Sequence, residues 1–192
     1  MRRTSVAVAT LAVALAAAIP GVARADGGLI DEFKVAAYEH DASVFGHQKE
    51  TGADVGGEIL FTSPDFLEII GSPRPILGGV VNSAGQTSQV YTGLTFTYDF
   101  LENFLSTGDG FFVEGTLGGG LNDGKINVTD PVQSQREKSL GSNVLFREDA
   151  DIGYRFTPRL SIALSYNHIS NADLATRNEG INDIGVRFGI KF

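Results

Sequence analysis

The chain has no cysteine. That excludes a disulfide framework and any thiolate metal site. Positive charge is scarce: 15 basic residues stand against 23 acidic ones. Three of the basic residues, Arg2, Arg3 and Arg24, lie in the first 25 positions, which carry no acid. Beyond them 12 basic residues face 23 acidic ones, a net charge of −11. Nucleic acid is therefore excluded as a partner. After residue 25 no run of 18 apolar residues occurs, which excludes ordinary transmembrane helices. It does not exclude a transmembrane β-barrel, whose strands show only alternation. There is no internal repeat of fixed period and no linker that would divide the chain.

What is present begins with a secretory signal peptide over residues 1–25. Arg2 and Arg3 form its basic end. Val6 to Ala18 is its apolar stretch, shorter than the ~20 residues a spanning helix needs. Pro20 and Gly21 break it, and Ala23-Arg24-Ala25 supplies a small-x-small cleavage site. Residues 26–192 are then expected to form one domain.

Eight segments of that domain alternate with the period of two that a strand requires. They are residues 33–40, 55–61, 76–81, 90–100, 111–117, 144–156, 160–171 and 184–192. The fourth is the clearest. Val90, Thr92, Leu94, Phe96, Tyr98 and Phe100 share one face, opposite Tyr91, Gly93, Thr95, Thr97 and Asp99. Ser63-Pro64-Asp65-Phe66 reads as a short helix start with Ser63 as N-cap. Residues 121–140 are polar and turn-rich, so a loop is expected there. Gly118-Gly119-Gly120 is not a phosphate loop, because no helix-forming segment follows. It reads as the flexible end of the fifth strand.

Each strand has one apolar face and one of glycine, hydroxyl and charge. A water-soluble barrel of lipocalin type turns its apolar faces inward, and an outer-membrane barrel turns them outward. Three features favour the second. Tyr98, Phe100, Tyr154, Phe156 and Phe192 place aromatics at strand ends, as in an interfacial girdle. The polar faces hold charges that can pair: Glu58, Asp99 and Glu114 against Arg155, Arg187 and Lys191. The sequence also ends in phenylalanine on a strand, like bacterial outer-membrane proteins. The expected fold is all-β, an eight-stranded antiparallel transmembrane β-barrel in the bacterial outer membrane. Its longer outward loops would be near residues 40–54, 82–89, 121–140 and 171–182.

The seventh strand carries the chemistry. Leu160, Ile162, Leu164 and Tyr166 lie on its apolar face, and His168 and Ser170 continue that face. A base and a hydroxyl so close are a candidate nucleophilic pair. At the outward end they would face lipid, where lipopolysaccharide lies in a Gram-negative outer membrane. His40, Asp41 and His47 suggest a metal site only weakly; histidines in a polar loop are ordinarily solvated. No metal or cofactor is expected.

His168-Ile169-Ser170-Asn171, followed by Asn178-Glu179-Gly180-Ile181-Asn182, resembles the signature of the lipid A 3-O-deacylase (PagL) family. His40-Asp41, Pro73-Arg74-Pro75 and Ser88-Gln89-Val90-Tyr91-Thr92-Gly93-Leu94 are similar too. The resemblance spans most of residues 26–192 and is specific only in the last 25. It implies an outer-membrane esterase that removes the ester-linked 3-hydroxyacyl chain at the 3-position of lipid A, without metal or cofactor. Ser170 and His168 would be nucleophile and base. Asn171 and Asn178 resemble the family's oxyanion-side residues. The family's acid falls by spacing at Asn182, with Glu179 as the alternative third member. Lipid A is then the expected partner, and the sequence leaves a homodimer open. The alternative function is a non-enzymatic barrel of structural or surface-interaction type.

Overall fold

A computed structural model describes residues 28–44 and 46–192; the signal peptide expected over 1–25 lies outside them. Eight strands follow one another: β1 Ile30–Glu39, β2 Ala53–Phe61, β3 Arg74–Asn82, β4 Gln89–Phe100, β5 Gly110–Asn122, β6 Val144–Arg155, β7 Leu160–Ser170 and β8 Ile181–Lys191. Each pairs antiparallel with its sequence neighbours, and β8 returns to β1 to close the barrel. Closure leaves no free sheet edge, so strand backbone groups find partners within the wall.

The alternation is inside-out relative to a water-soluble barrel. Glu32, Lys34, Glu58, Glu114, Arg147, Asp149, Asp151 and Arg187 are buried in the interior, while Leu77, Val90, Val113, Leu117, Val144 and Leu164 are exposed on the outer wall. An arginine or lysine on such a wall costs about 2–4 kcal/mol at mid-bilayer depth. Inside, the charges are compensated. Arg187 reaches Glu58 (3.0 Å), Asp149 (3.0 Å) and Asp151 (2.6 Å), and Arg155 reaches Asp99 at 2.7 Å. The expected partners of Glu114 and Lys191 are different. Glu114 pairs with Lys34 and with Arg74, and Lys191 lies 3.7 Å from Asp31. Arg74 and Lys34 come from β3 and β1, which the alternation does not bring next to β5.

At the turn end, Tyr98, Phe100, Phe111, Tyr154 and Phe156 form a chain of aromatic contacts, with successive centroids 6.4, 5.9, 5.0 and 5.3 Å apart. Phe192 lies one residue past β8, and its N–H donates to the Asp31 carbonyl at 2.9 Å.

Three expectations are corrected. The short helix is a 3-10 turn, Asp65–Ile70, capped by Pro64 without a side-chain bond; Ser63 is not its N-cap. β5 continues through Gly118-Gly119-Gly120 to Asn122 and is paired on both sides there. Those glycines are not a loose end: at Gly120 a Cβ would lie 2.9 Å from the Cβ of Tyr91. Tyr91 needs that space because the Arg147 guanidinium stacks 3.9 Å from its ring centroid. Finally, β8 begins at Ile181, three residues before its apolar alternation does.

Candidate active site

The loop end is stiffened from within. Leu140, from the long β5–β6 connection, packs with Leu145, Ile169 and Ile181 in a buried apolar cluster. Ile169 lies between His168 and Ser170, and Ile181 precedes Asn182. Fixing these inward residues fixes the outward ones, because side chains alternate.

On the outer wall the register aligns two rows. Leu117, Glu148, His168 and Asn182 are cross-strand partners from β5 to β8. Gly119, Phe146 and Ser170 form the next row outward. Ser170 thus lies two residues along β7 from His168, about 7 Å at strand rise. Next to Ser170 opens a largely apolar groove of ≈ 510 Å³, lined by Gly119, Gly141, Val144, Phe146, Asn171 and Leu174 among others.

His168 is held on two sides. Its Nδ1 lies 2.7 Å from Asn182 Oδ1. An amide oxygen cannot donate, so Nδ1 carries the proton and Nε2 keeps its lone pair. The Tyr166 hydroxyl donates to the same Oδ1 at 2.7 Å. The amide oxygen thus accepts from both side chains. Gly180 closes the other side: a Cβ there would lie 2.7 Å from His168 Cε1 and 2.8 Å from the Ile169 carbonyl.

The two candidates for a third member lie in different places. Asn182 touches His168, whereas Glu179 clamps the loops. The Glu179 carboxylate pairs with Lys49 and accepts the Ser139 N–H at 2.7 Å, and its own N–H donates to the Ser139 carbonyl at 3.1 Å. Partial burial would raise its pKa, but the Lys49 and Ser139 bonds outweigh this and hold it below the usual glutamate value.

Asn171 and Asn178 do not present free amide donors beside Ser170. Asn171 is buried, and its Nδ2 donates to the Leu140 (2.8 Å) and Arg177 carbonyls. Asn178 accepts the Asn171 N–H at 3.0 Å and donates to Asp173 at 2.9 Å. Both amides shape the β7–β8 loop. The backbone N–H of Ala172 donates to Ser170 Oγ at 3.4 Å, and Ala172 and Asp173 both adopt positive φ (52° and 61°).

Tyr166 and Glu148 are site neighbours that the sequence reading did not single out. Tyr166 was legible from parity, two residues before His168 on the same face. Glu148 was not, because its place opposite His168 depends on the β6–β7 register.

The histidines of the first loop part company. His47 is exposed, but His40 is 1% exposed and not solvated as expected. Its Nδ1 lies 2.8 Å from Asp54 Oδ2 and 3.4 Å from Asp183 Oδ1, and its Nε2 lies 3.0 Å from Glu50 Oε2. Burial would lower the His40 pKa. The hydrogen bonds to Asp54 and Glu50 and the neighbouring negative charges outweigh it and push the ring up to about 10.

Comparison with known proteins agrees with this architecture. The crystal structure of the outer membrane enzyme PagL superposes with a TM-score of 0.62 at 18% identity, covering 84% of this chain and 99% of that one. That of Neisserial surface protein A gives 0.50 at 13% identity, covering 86% and 98%. These likenesses are of fold. No curated protein sequence matches the chain. Residues 71–191 match the family described as lipid A 3-O-deacylase (PagL). The barrel is therefore an outer-membrane barrel with a deacylase domain, and the chain belongs to the lipid A 3-O-deacylase family.

Proposed function

We propose that this protein is a serine esterase of the outer leaflet, removing the ester-linked 3-hydroxyacyl chain from the 3-position of lipid A. The observation that carries this is the bond from His168 Nδ1 to Asn182 Oδ1, on the lipid-facing wall and two residues from Ser170.

His168 Nε2 takes the proton of Ser170 as Oγ attacks the ester carbonyl carbon. Collapse of the tetrahedral intermediate breaks the bond to the glucosamine 3-oxygen, which receives that proton from Nε2. Water then attacks the acyl-serine, again giving its proton to Nε2, and Ser170 leaves with that proton as the free 3-hydroxy fatty acid departs. The Ala172 N–H, already directed at Ser170 Oγ, is a donor for charge developing on the carbonyl oxygen. A donor in such a position contributes about 3–4 kcal/mol. The groove beside Ser170 gives the acyl chain an apolar bed.

Asn182 replaces a carboxylate in this scheme. In a serine protease, aspartate to asparagine costs about 10⁴ in rate, because the amide imposes the wrong histidine tautomer. Here the Tyr166 hydroxyl turns the amide oxygen toward the ring, so the productive tautomer is kept. What Asn182 lacks is the charge that stabilises imidazolium.

Mass spectrometry of lipid A from cells with and without the protein tests the reading. Loss of one 3-hydroxyacyl chain, dependent on Ser170, is expected. Unchanged lipid A would favour the non-enzymatic barrel instead.

A further inference from the structure

The His40 cluster gathers more buried carboxylates than cations. Asp41, Glu50, Asp54 and Asp183 converge on the interior of the loop end, and each is 1% exposed or less. Three of them are well supplied with donors. Asp41 accepts the Lys49 and Glu50 N–H groups and pairs with Lys138 at 3.1 Å. Glu50 accepts the Lys138 and Thr87 N–H groups. Asp54 accepts the Asn82 amide at 2.8 Å. Asp183 is different. Its Oδ1 accepts the Asp41 N–H at 3.0 Å, but its Oδ2 is buried without a hydrogen-bond partner among the described residues. A buried carboxylate oxygen without a partner is costly.

The imidazole faces the other oxygen of Asp183, Oδ1, together with Asp54 and Glu50. Nε2 faces Glu50 at 3.0 Å, and Nδ1 faces both Asp54 (2.8 Å) and Asp183 (3.4 Å). Nε2–H donating to a carboxylate is the arrangement that orients a metal-binding histidine and fixes its tautomer. With Nε2–H as the donor, the neutral ring presents its Nδ1 lone pair between two carboxylates, a position that either a proton or a metal ion can hold. In a tetrahedral site with bonds of 2.0–2.1 Å, ligand atoms are about 3.3 Å apart. The two Nδ1–carboxylate distances bracket that edge. Three ligand atoms, from His40, Asp54 and Asp183, all lie within 4.8 Å of one another. One imidazole nitrogen with carboxylates suits Zn²⁺ or Mn²⁺ better than Ca²⁺, which takes oxygen alone.

We propose that His40, Asp54 and Asp183 form a binding site for a divalent transition-metal ion, with Glu50 orienting the histidine. The site is separate from the outward-facing esterase residues and does not depend on that activity. It joins β2, β8 and the first loop beside Asn182. Asp183 follows Asn182 in β8, and the Asn182 carbonyl accepts the Ala42 N–H. Metal binding would brace the strand that holds the His168 partner.

The test uses the full mature chain folded in detergent micelles, stripped with chelator, and titrated calorimetrically with ZnCl₂, MnCl₂, MgCl₂ and CaCl₂. One equivalent of Zn²⁺ or Mn²⁺ is expected, with Mg²⁺ and Ca²⁺ at least tenfold weaker. Asp54→Asn with Asp183→Asn should abolish binding. Glu50→Gln should weaken it about 10- to 100-fold, as the loss of an orienting carboxylate does. Pulsed electron resonance of the Mn²⁺ form should show a nitrogen coupling that His40→Gln removes and His47→Gln retains. Heat-modifiable migration on gels reports whether each variant is a folded barrel. Absence of saturable binding by the stripped wild-type chain overturns the proposal and leaves a proton on Nδ1 as the cluster's cation. So does unchanged binding by the folded Asp54→Asn/Asp183→Asn chain. Should that variant not fold, the nitrogen coupling decides: a wild-type Mn²⁺ signal without nitrogen overturns the site.

Discussion

His40 and His168 are at the same end of one barrel, on opposite sides of its wall, and their surroundings are opposite. His40 points into the interior, where three carboxylates surround it. His168 points outward, where its Nδ1 partner is a neutral amide. The interior is built from charge and compensates charge with charge. The outer wall is built for lipid, where an ionised group is expensive. An amide oxygen orients an imidazole there without adding a charge to that wall. Orientation and charge stabilisation, joined in a carboxylate, are separable: Asn182 gives the outer histidine the first without the second.

The largest effect should come from removing the chemistry on the outer side. Ser170→Ala is expected to lower deacylation by on the order of 10⁶, the cost of deleting the nucleophile of a triad, and His168→Ala by a similar factor. Both should leave heat-modifiable migration unchanged. His40→Ala should do the reverse. It leaves buried carboxylates uncompensated, a loss of about 3–5 kcal/mol read in urea unfolding, while the nucleophile and base remain. If His40→Ala abolishes deacylation in a barrel of normal stability, the two histidines are not divided in this way.

The next test separates orientation from charge. Tyr166→Phe releases the lock on Asn182 and lets its amide turn its nitrogen toward His168. We expect kcat to fall about 10²-fold, the lower range of what a positioned acid–base group contributes, with KM little changed. Asn182→Ala should fall at least as far. Asn182→Glu supplies the missing charge and should raise kcat, by at most about 10⁴. A Tyr166→Phe protein with normal kcat would show that the amide needs no lock.

Gly180 sharpens the same point by geometry alone. Gly180→Ala places a methyl 2.7 Å from His168 Cε1, so the ring must move. A misplacement of about 1 Å costs on the order of 10²-fold in a positioned site. The same methyl would lie 2.8 Å from the Ile169 carbonyl, so some loss of melting temperature is expected as well; deacylation assayed on the folded, heat-modifiable barrel separates the displaced ring from unfolding.

Much of this was legible in the sequence, and the reason is periodicity. In β7, period-two alternation put His168 and Ser170 on the outer wall, and parity put Asn182 beside them although β8 was read as starting at Ile184. What alternation cannot give is register between strands. Glu148 opposite His168, and Lys34 and Arg74 beside Glu114, follow from pairing and barrel closure. The roles of Asn171, Asn178 and Glu179 were hidden for a different reason. They depend on loop carbonyls and on Lys49 and Ser139, which no local pattern places nearby. His40 was misread because a loop histidine looks solvated until Asp183, 143 positions away, closes over it.

Glu179 gives the smallest effect. Its pKa is held down by Lys49 and the Ser139 N–H, so the ionised form is the one that supports the folded loop. A depressed carboxylate contributes stability above its unfolded pKa, about 4.3, and loses it as pH falls through the lower folded value. The β7–β8 loop should therefore stay protected from hydrogen exchange from neutral pH down to the ordinary carboxylate range, and open only in stronger acid. The pair is partly exposed, its side chains 23% and 36% accessible, and solvent screens it. We expect at most about 1 kcal/mol, a fivefold change in protection of residues 172–180. Glu179→Gln should remove that protection at every pH and lower kcat only a few-fold. If Glu179→Gln is inactive while Asn182→Ala deacylates normally, the loop glutamate is the partner of His168 during turnover, and the outer histidine is served by charge after all.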